Sequence, residues 1–225
     1  MRLVIFDLDD TLVDFATTRK TAYARMGELL DREGIDSTAF LQACAKVDRP
    51  LFMQFEQGLI TREEYRNKRF FDPFGLIGLA PQVELSQRLN RLFMDVVNDT
   101  PVLYPDVRPV LQALRDQGLS TAILTNGPSD GQRRKLKATG LDQCVDHVAI
   151  GEETGFSKPL EQAFHGVVDR FGLPRPHALM VGDHPELDYE GARRAGLQAL
   201  LLDREARHGQ RGFASIRSLE EVLRR

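Results

Sequence analysis

The sequence predicts an α/β protein: a mostly parallel sheet with helices on both faces and an all-helical segment inserted after the first strand. Three observations carry that expectation. From about residue 98 onward, short apolar runs alternate with segments of helical period. Residues 2–7 read as one more strand of the same kind, and no further strand-like run occurs before residue 119.

The apolar runs are LSTAILT (119–125), CVDHVAI (144–150), HALMVGD (177–183) and LQALLLD (197–203). Each is short and apolar on both of its alternating faces, as a strand covered from both sides must be. Between them RPVLQALRDQG, SDGQRRKLKATG, LEQAFHGVVDRFG and PELDYEGARRAG place apolar residues at helical spacing, and each ends in a glycine suited to a helix C-terminus. Strand, helix, strand in succession requires crossover connections, hence parallel neighbours. In the insert, 16–33, 37–46, 51–57, 61–71 and 82–97 read as helices separated by Gly, Pro and Asp-Ser signals. The expected division is an α/β core of 1–15 and 98–225 and an inserted helical domain of 16–97, with hinges near 14–16 and 97–104. Phe52, Phe55, Tyr65, Phe70, Phe71 and Phe74 are expected to form the core of the insert, and Arg19, Lys20, Arg62, Lys68 and Arg69 its solvated face.

At 225 residues the chain can bury one substantial core and carry an insertion. A net charge of -3, with basic residues spread along the chain, offers no stripe for a nucleic-acid backbone and no patch for a membrane surface. Cys44 and Cys144 form no CxxC and no zinc spacing, so neither a disulfide framework nor a structural metal is expected. Asp7 interrupts the apolar start and no run approaches the length of a membrane span. The expectation is a cytoplasmic protein, a monomer or weak dimer, without a nucleic-acid polymer or a membrane as partner.

Against this background VIFDLDDTLVD (4–14) stands out, because an apolar strand runs straight into Asp7, Asp9, Asp10 and Asp14. Like charges gathered in this way repel, so a cation or a reaction must justify them. Ligands bind beyond the carboxyl ends of the strands in an open parallel sheet. The residues found there are Asp7 and Asp9, then Thr125-Asn126-Gly127, then Lys158 beyond Gly151-Glu152-Glu153, and finally Gly182-Asp183 with Asp188 five further on. Carboxylates beside one lysine make a hard oxygen site, for which Mg²⁺ with a substrate phosphate is the fitting occupant. Neither GxxxxGK[ST] nor GxGxxG is present, so a glycine-rich nucleotide loop is not supported. Asp10, Asp14 and Thr11 are read as turn or hinge residues, Glu152 and Glu153 as solvated acids, and His184 as either a loop residue or an outer contact of the site.

The order DLDDT (7–11), ILTNG (123–127), Lys158-Pro159 and GDxxxxD (182–188) resembles the four motifs of the haloacid dehalogenase superfamily, over the whole chain. The helical insert is similar to that of its C1-capped phosphatases, and TNG followed by Gln132 and Lys135 is similar to the subgroup of house-cleaning nucleotidases and N-acylneuraminate-9-phosphatase. The resemblance implies a Rossmann-like core and a Mg²⁺-dependent phosphatase acting on a small phosphorylated metabolite, a nucleotide or sugar phosphate among the candidates. It implies Asp7 as nucleophile, Asp9 as general acid and then base, Thr125 and the backbone N–H of Asn126 as phosphate ligands, and Lys158 as charge balance. Asp7, the backbone carbonyl of Asp9 and Asp183 would hold the metal, with Asp188 behind them steadying its waters or Lys158. Two departures from the pattern are visible: Leu160-Glu161 stands where many relatives have Asp-Pro, and His184 and Leu187 stand where Ser or Thr and Asn are frequent.

Other functions compete. A dehalogenase of the same fold lacks the second aspartate of DxD, so Asp9 argues against it, whereas a sugar-phosphate mutase keeps both. A phospho-accepting signalling module also combines acids, Thr, Lys and Mg²⁺, but places the accepting Asp after its third strand and has no helical insert.

Overall fold

Strand β1 (Leu3–Phe6) is apolar and buried at all four residues, which fits it for the middle of a sheet covered on both faces. The computed structural model describes residues 1–208 and 212–224. Its contacts divide the chain into two compact units, Thr17–Val97 and the remainder. No helix of the described residues is long and apolar enough to cross a membrane.

The Thr17–Val97 unit is built from helices α1 (Phe15–Arg32), α2 (Ser37–Glu56), α3 (Arg62–Phe71), α4 (Pro73–Leu76) and α5 (Val83–Asp99), the outer two running past its limits. Asp36 caps α2 by accepting from the Ala39 N–H (3.0 Å), and Thr61 with Glu64 closes a reciprocal capping box on α3. The sequence predicts a break between residues 46 and 51, yet α2 is continuous through Pro50. Tyr65 accounts for this: its hydroxyl donates to Asp48 (2.9 Å) before the proline while its ring packs on Phe52 and Phe55 after it. Those contacts hold together two half-helices that proline alone would separate. Phe70 and Phe74 are fully buried, whereas Phe52 is 43% exposed and so belongs to the rim rather than the core. Arg69 also departs from expectation. Instead of facing solvent it is buried, its guanidinium lying 4.5 Å from the Phe93 centroid and 4.8 Å from that of Phe70, and it donates to Asn90 (2.7 Å).

In the other unit β1 pairs in parallel with β2 (Ser120–Thr125) on one side and β4 (Ala178–Gly182) on the other. With β3 (His147–Ile150), β5 (Gln198–Leu202) and β6 (Ser215–Ile216), the parallel strands run in the order β3-β2-β1-β4-β5-β6. The 144–150 strand of the sequence reading is shortened to His147–Ile150, because Cys144 closes the turn after Gly140 and Asp146 turns back to donate from its backbone to Thr121. Connecting helices are α6 (Val107–Asp116), α7 (Ser129–Thr139), the short α8 (Gly151–Thr154), α9 (Glu161–Arg170) and α10 (Gly191–Arg194). Strand alternation divides the core: Val4 and Phe6 pack with Val110, Leu114 and Leu136 on one face, Leu3 and Ile5 with Phe164, Val168 and Ala192 on the other.

One ion pair fastens the C-terminal segment to this core. Arg204 donates to both oxygens of Asp106 (2.9 Å each) and covers the Tyr104 ring at 3.9 Å, while Asp106 also accepts from Ser218 Oγ (3.1 Å) and the Leu219 N–H (2.9 Å). Burial would raise the Asp106 carboxyl, but Arg204 and these donors hold it below the usual carboxylate range. Its stabilising contribution is therefore present above about pH 4 and is lost as pH falls through the lowered native value. Asp106→Asn should cost about 2–4 kcal/mol at pH 7, measured by urea unfolding, because it leaves Arg204 without its counter-charge. A loss below about 0.5 kcal/mol would show the pair to be incidental.

Candidate active site

The register sets where the site forms. Phe6 pairs with Ile123 and Val181, and Thr125 with Ile150, so β1 to β4 end along one edge. Strand order reverses at β1, with β2 on one side and β4 on the other, so the segments leaving β1 and β4 diverge and open a crevice.

Asp7 follows β1 directly and extends its pairing by donating its backbone N–H to Val181 (3.0 Å). Its side chain meets Lys158, whose ammonium donates both to Asp7 Oδ1 and to Asp188 Oδ1 (2.7 Å). All three residues are buried. Asp188 Oδ2 accepts from the His184 N–H (3.0 Å), so both of its oxygens are engaged within the protein. It sits in a π-helical turn, Pro185–Glu190, that brings the carboxyl group against the end of β4; a Cβ on Gly182 would lie 2.3 Å from it, so β4 has to end in glycine. Lys158 is placed by its backbone: its N–H donates to Asn126 Oδ1 (2.8 Å), and Asn126 Nδ2 donates back to its carbonyl (2.7 Å).

Asp9 is held separately. Lys135 Nζ donates to its Oδ1 (2.6 Å) and Gln132 Nε2 to its Oδ2 (2.9 Å), and the same amide nitrogen also reaches Thr125 Oγ1 (2.7 Å). One oxygen each of Asp7, Asp183 and Asp188 lies within 4.8 Å of the others, an all-oxygen cluster of the kind a hard cation takes. Thr11, read from the sequence as a turn residue, donates to Asp183 Oδ1 at 3.4 Å.

The electrostatics show what this grouping costs. Burial holds the Asp7 carboxyl well above the usual range, Lys158 opposes that, and Asp188 and Asp183 reinforce it. Burial, with repulsion from Asp188 and Asp10, pushes Asp183 up to about 7. Burial would lower Lys158, but Asp188 and Asp7 outweigh it and raise the ammonium above an ordinary lysine. Among the described residues, the ion pairs at the site involve two ammonium groups, Lys135 with Asp9 and Lys158 with Asp7 and Asp188, while Asp183 stands beside Asp7 and Asp188. The donor set and the excess of two carboxylates both suit a divalent cation.

The residues selected from the sequence, Asp7, Asp9, Thr125, Asn126, Lys158, Asp183 and Asp188, thus lie along one sheet edge. Sequence reasoning gave no site role to Lys135 and Gln132, which entered only as part of the subgroup resemblance after the TNG turn. Glu152 and Glu153 are tied to the start of α7 rather than simply solvated: Glu152 accepts from the Ser129 N–H (2.7 Å) and Glu153 from Arg133 Nε (2.9 Å). His184 caps the π-helical turn, its Nδ1 accepting from the Glu186 (3.3 Å) and Leu187 (3.2 Å) N–H groups. Leu160 occupies the N-cap of α9 without a side-chain cap, so the Leu160-Glu161 departure alters capping.

A doubly covered parallel sheet whose strand ends gather acids, a lysine and a threonine is suited to phosphoryl chemistry. The chain belongs to the haloacid dehalogenase-like hydrolase family, whose model matches residues 1–196, and it is a phosphatase of that family. It is 30% identical to the pyrimidine 5'-nucleotidase YjjG of Escherichia coli over 98% of this chain and 96% of that protein. It is 29% identical to a phosphoserine phosphatase of Thermus thermophilus, covering 92% and 90% of the two chains. The solved structure of the HAD-hydrolase YfnB of Bacillus subtilis, bound to magnesium and revealing interdomain movement, superposes with a TM-score of 0.79 at 26% identity, over 99% of this chain and 97% of that one.

The raised Asp183 value has a consequence for stability. A carboxyl that keeps its proton to about 7 when folded, but to about 4 when unfolded, lowers stability progressively between those pH values. In EDTA, Asp183→Asn should therefore be more stable than the parent at pH 8, by on the order of 1–3 kcal/mol, with the difference shrinking toward pH 4.5. Thermal melts across that range check it; a less stable Asp183→Asn protein at pH 8 would reverse the conclusion.

Proposed function

We propose that the protein is a Mg²⁺-dependent phosphatase that hydrolyses a small phosphorylated metabolite through an aspartyl-phosphate on Asp7. The observation that carries the reading is the pairing of two unlike carboxylates two residues apart, Asp7 buried against Lys158 and Asp9 with its side chain one-third exposed, 33%. The carboxylates of Asp7 and Asp183 with the backbone carbonyl of Asp9 would hold the cation, and Asp188 would keep Lys158 in place. When bound, the cation offsets the excess negative charge and makes the pocket hospitable to a phosphate.

In the first half-reaction an Asp7 oxygen attacks phosphorus. The bond to the ester oxygen breaks, its electron pair leaves with that oxygen, and Asp9 supplies the proton. In the second, water attacks the same phosphorus, Asp9 accepts its proton, and the bond to Asp7 breaks to release inorganic phosphate and restore the carboxylate. Thr125 and the Asn126 N–H bind phosphoryl oxygens, and Lys158 balances the charge that develops on them. Nucleotides and phosphoserine are the first substrate classes to test, given what the relatives act on, with sugar phosphates beside them. The free thiols Cys44 and Cys144 suit a reducing compartment such as the cytoplasm.

Asp7→Asn should abolish turnover of every phosphomonoester, by roughly 10⁴-fold or more. Asp9→Asn should be selective: alkyl esters slow by roughly 10²–10⁴-fold, whereas an activated aryl ester still phosphorylates the protein and then hydrolyses slowly. Rapid-quench phenol release and intact-protein mass are the measurements. A phosphoryl adduct on any residue but Asp7, or full activity after exhaustive removal of divalent cations, would overturn the proposal.

A further inference from the structure

We propose that Lys135 and Gln132 are positioning residues for Asp9: two donors from one face of α7 that hold the proton-transfer carboxylate in a single orientation and tie it to Thr125. The inference rests on the role proposed for Asp9 and extends it to side chains that do not themselves meet the reacting atoms. The two residues stand three apart on one helix, so their side chains emerge on the same face, and between them they occupy both oxygens of Asp9 (2.6 and 2.9 Å).

Stability alone does not account for this arrangement. A lysine stem normally carries its ammonium out to water, yet the Lys135 side chain is 7% exposed and its Nζ lies 5.1 Å from the Phe15 ring centroid. Gln132 is 1% exposed, its amide nitrogen serves Asp9 and Thr125 at once, and its Oε1 is buried with no partner among the described residues. An apolar side chain of similar volume would avoid that unpaired oxygen. The chain makes room for the amide as well: a Cβ on Gly127 would lie 2.1 Å from Gln132 Nε2, so the turn after β2 has to be glycine for Gln132 to reach inward.

The mount is rigid. Glu152 and Glu153 hold the first two turns of α7 through Ser129 and Arg133, and Arg134 donates two hydrogen bonds to Asp99 (2.7 and 2.5 Å). An unrestrained aspartate samples several rotamers, whereas proton transfer needs its oxygen within about 3 Å of the reacting oxygen. Holding Asp9 and the phosphate-binding Thr125 through the same amide nitrogen keeps proton donor and phosphoryl group in register, the kind of positioning whose loss by about 1 Å can cost 10²-fold.

The test is a double-mutant cycle with a structural arm. Lys135→Met keeps the stem and removes the charge; Gln132→Met removes the amide at similar volume and serves if the first variant folds poorly. Either should slow alkyl phosphates by roughly 10–100-fold and activated aryl phosphates much less, steepening the dependence on leaving group. Lys135→Met combined with Asp9→Asn should change the single-turnover rate by less than about twofold, because the residue it positions is already lost, whereas Gln132→Met also releases Thr125 and is read on the leaving-group dependence alone. A role confined to folding or to phosphate binding would instead slow Asp9→Asn as much as the parent, and that additivity overturns the proposal. The structural arm is a crystal structure of Lys135→Met: Asp9 should leave its single rotamer, and an unchanged Asp9 refutes the clamp. If the parent hydrolyses no phosphomonoester, the proposed function fails while the crystallographic comparison still decides the clamp.

Discussion

The site depends on one buried ammonium. Lys158 donates to Asp7 at the end of β1 and to Asp188 in the turn after β4, and so joins two segments that the reversal of strand order sends apart. Desolvating three ionised groups together is expensive, and a buried ion pair is seldom a net source of stability. What the arrangement provides is position. The Asn126 side chain fixes the backbone of Lys158, the His184 N–H fixes the free oxygen of Asp188, and the glycine at 182 lets that carboxyl approach the strand end. Each contact is ordinary; together they leave Asp7 one place to be.

A second lysine does the corresponding work for Asp9. The two acids of DLD leave the strand two residues apart and are claimed by different ammonium groups from different parts of the sheet, Lys158 from beyond β3 and Lys135 from α7. That division keeps adjacent carboxylates from competing for one counter-charge. It also lets their surroundings differ, which neighbouring acids need if they are to act differently. The raised values at Asp7 and Asp183 show the same economy from the other side: two ammonium groups do not neutralise the site, and the remaining repulsion is what a divalent cation relieves.

The sheet was legible in the sequence because its strands are buried on both faces and their apolar runs are uninterrupted, and the family was legible because four short motifs occur in the right order along the chain. The site residues could be selected because parallel strands end at one edge, so a residue closing an apolar run declares its position. What the sequence concealed depended on contacts between segments. Pro50 reads as a helix break until Tyr65 is seen bonding on both sides of it. Arg69 reads as a surface cation until three aromatic rings close over it. Lys135 and Gln132 mark a subgroup resemblance in the sequence, but nothing in their spacing says that they turn toward a carboxylate, for Lys135 one 126 residues away.

The difference in exposure between the two aspartates bears on why such a site would hydrolyse rather than store a phosphoryl group. Asp7, with Lys158 against it and 8% of its surface exposed, is a carboxylate stripped of water, and a poorly hydrated anion attacks phosphorus more readily than a solvated one. Asp9 keeps a third of its side chain exposed, 33%, while its clamp limits rotation. In the proposed cycle Asp9 gives up a proton to the leaving group and regains one from water, so it needs contact with solvent and a fixed aim at once. A fully buried Asp9 would have no water to activate, and the acyl phosphate would persist; a fully free one would rarely point at phosphorus. Partial exposure under a two-point clamp meets both demands, and the same strand end supplies the sheltered nucleophile beside it.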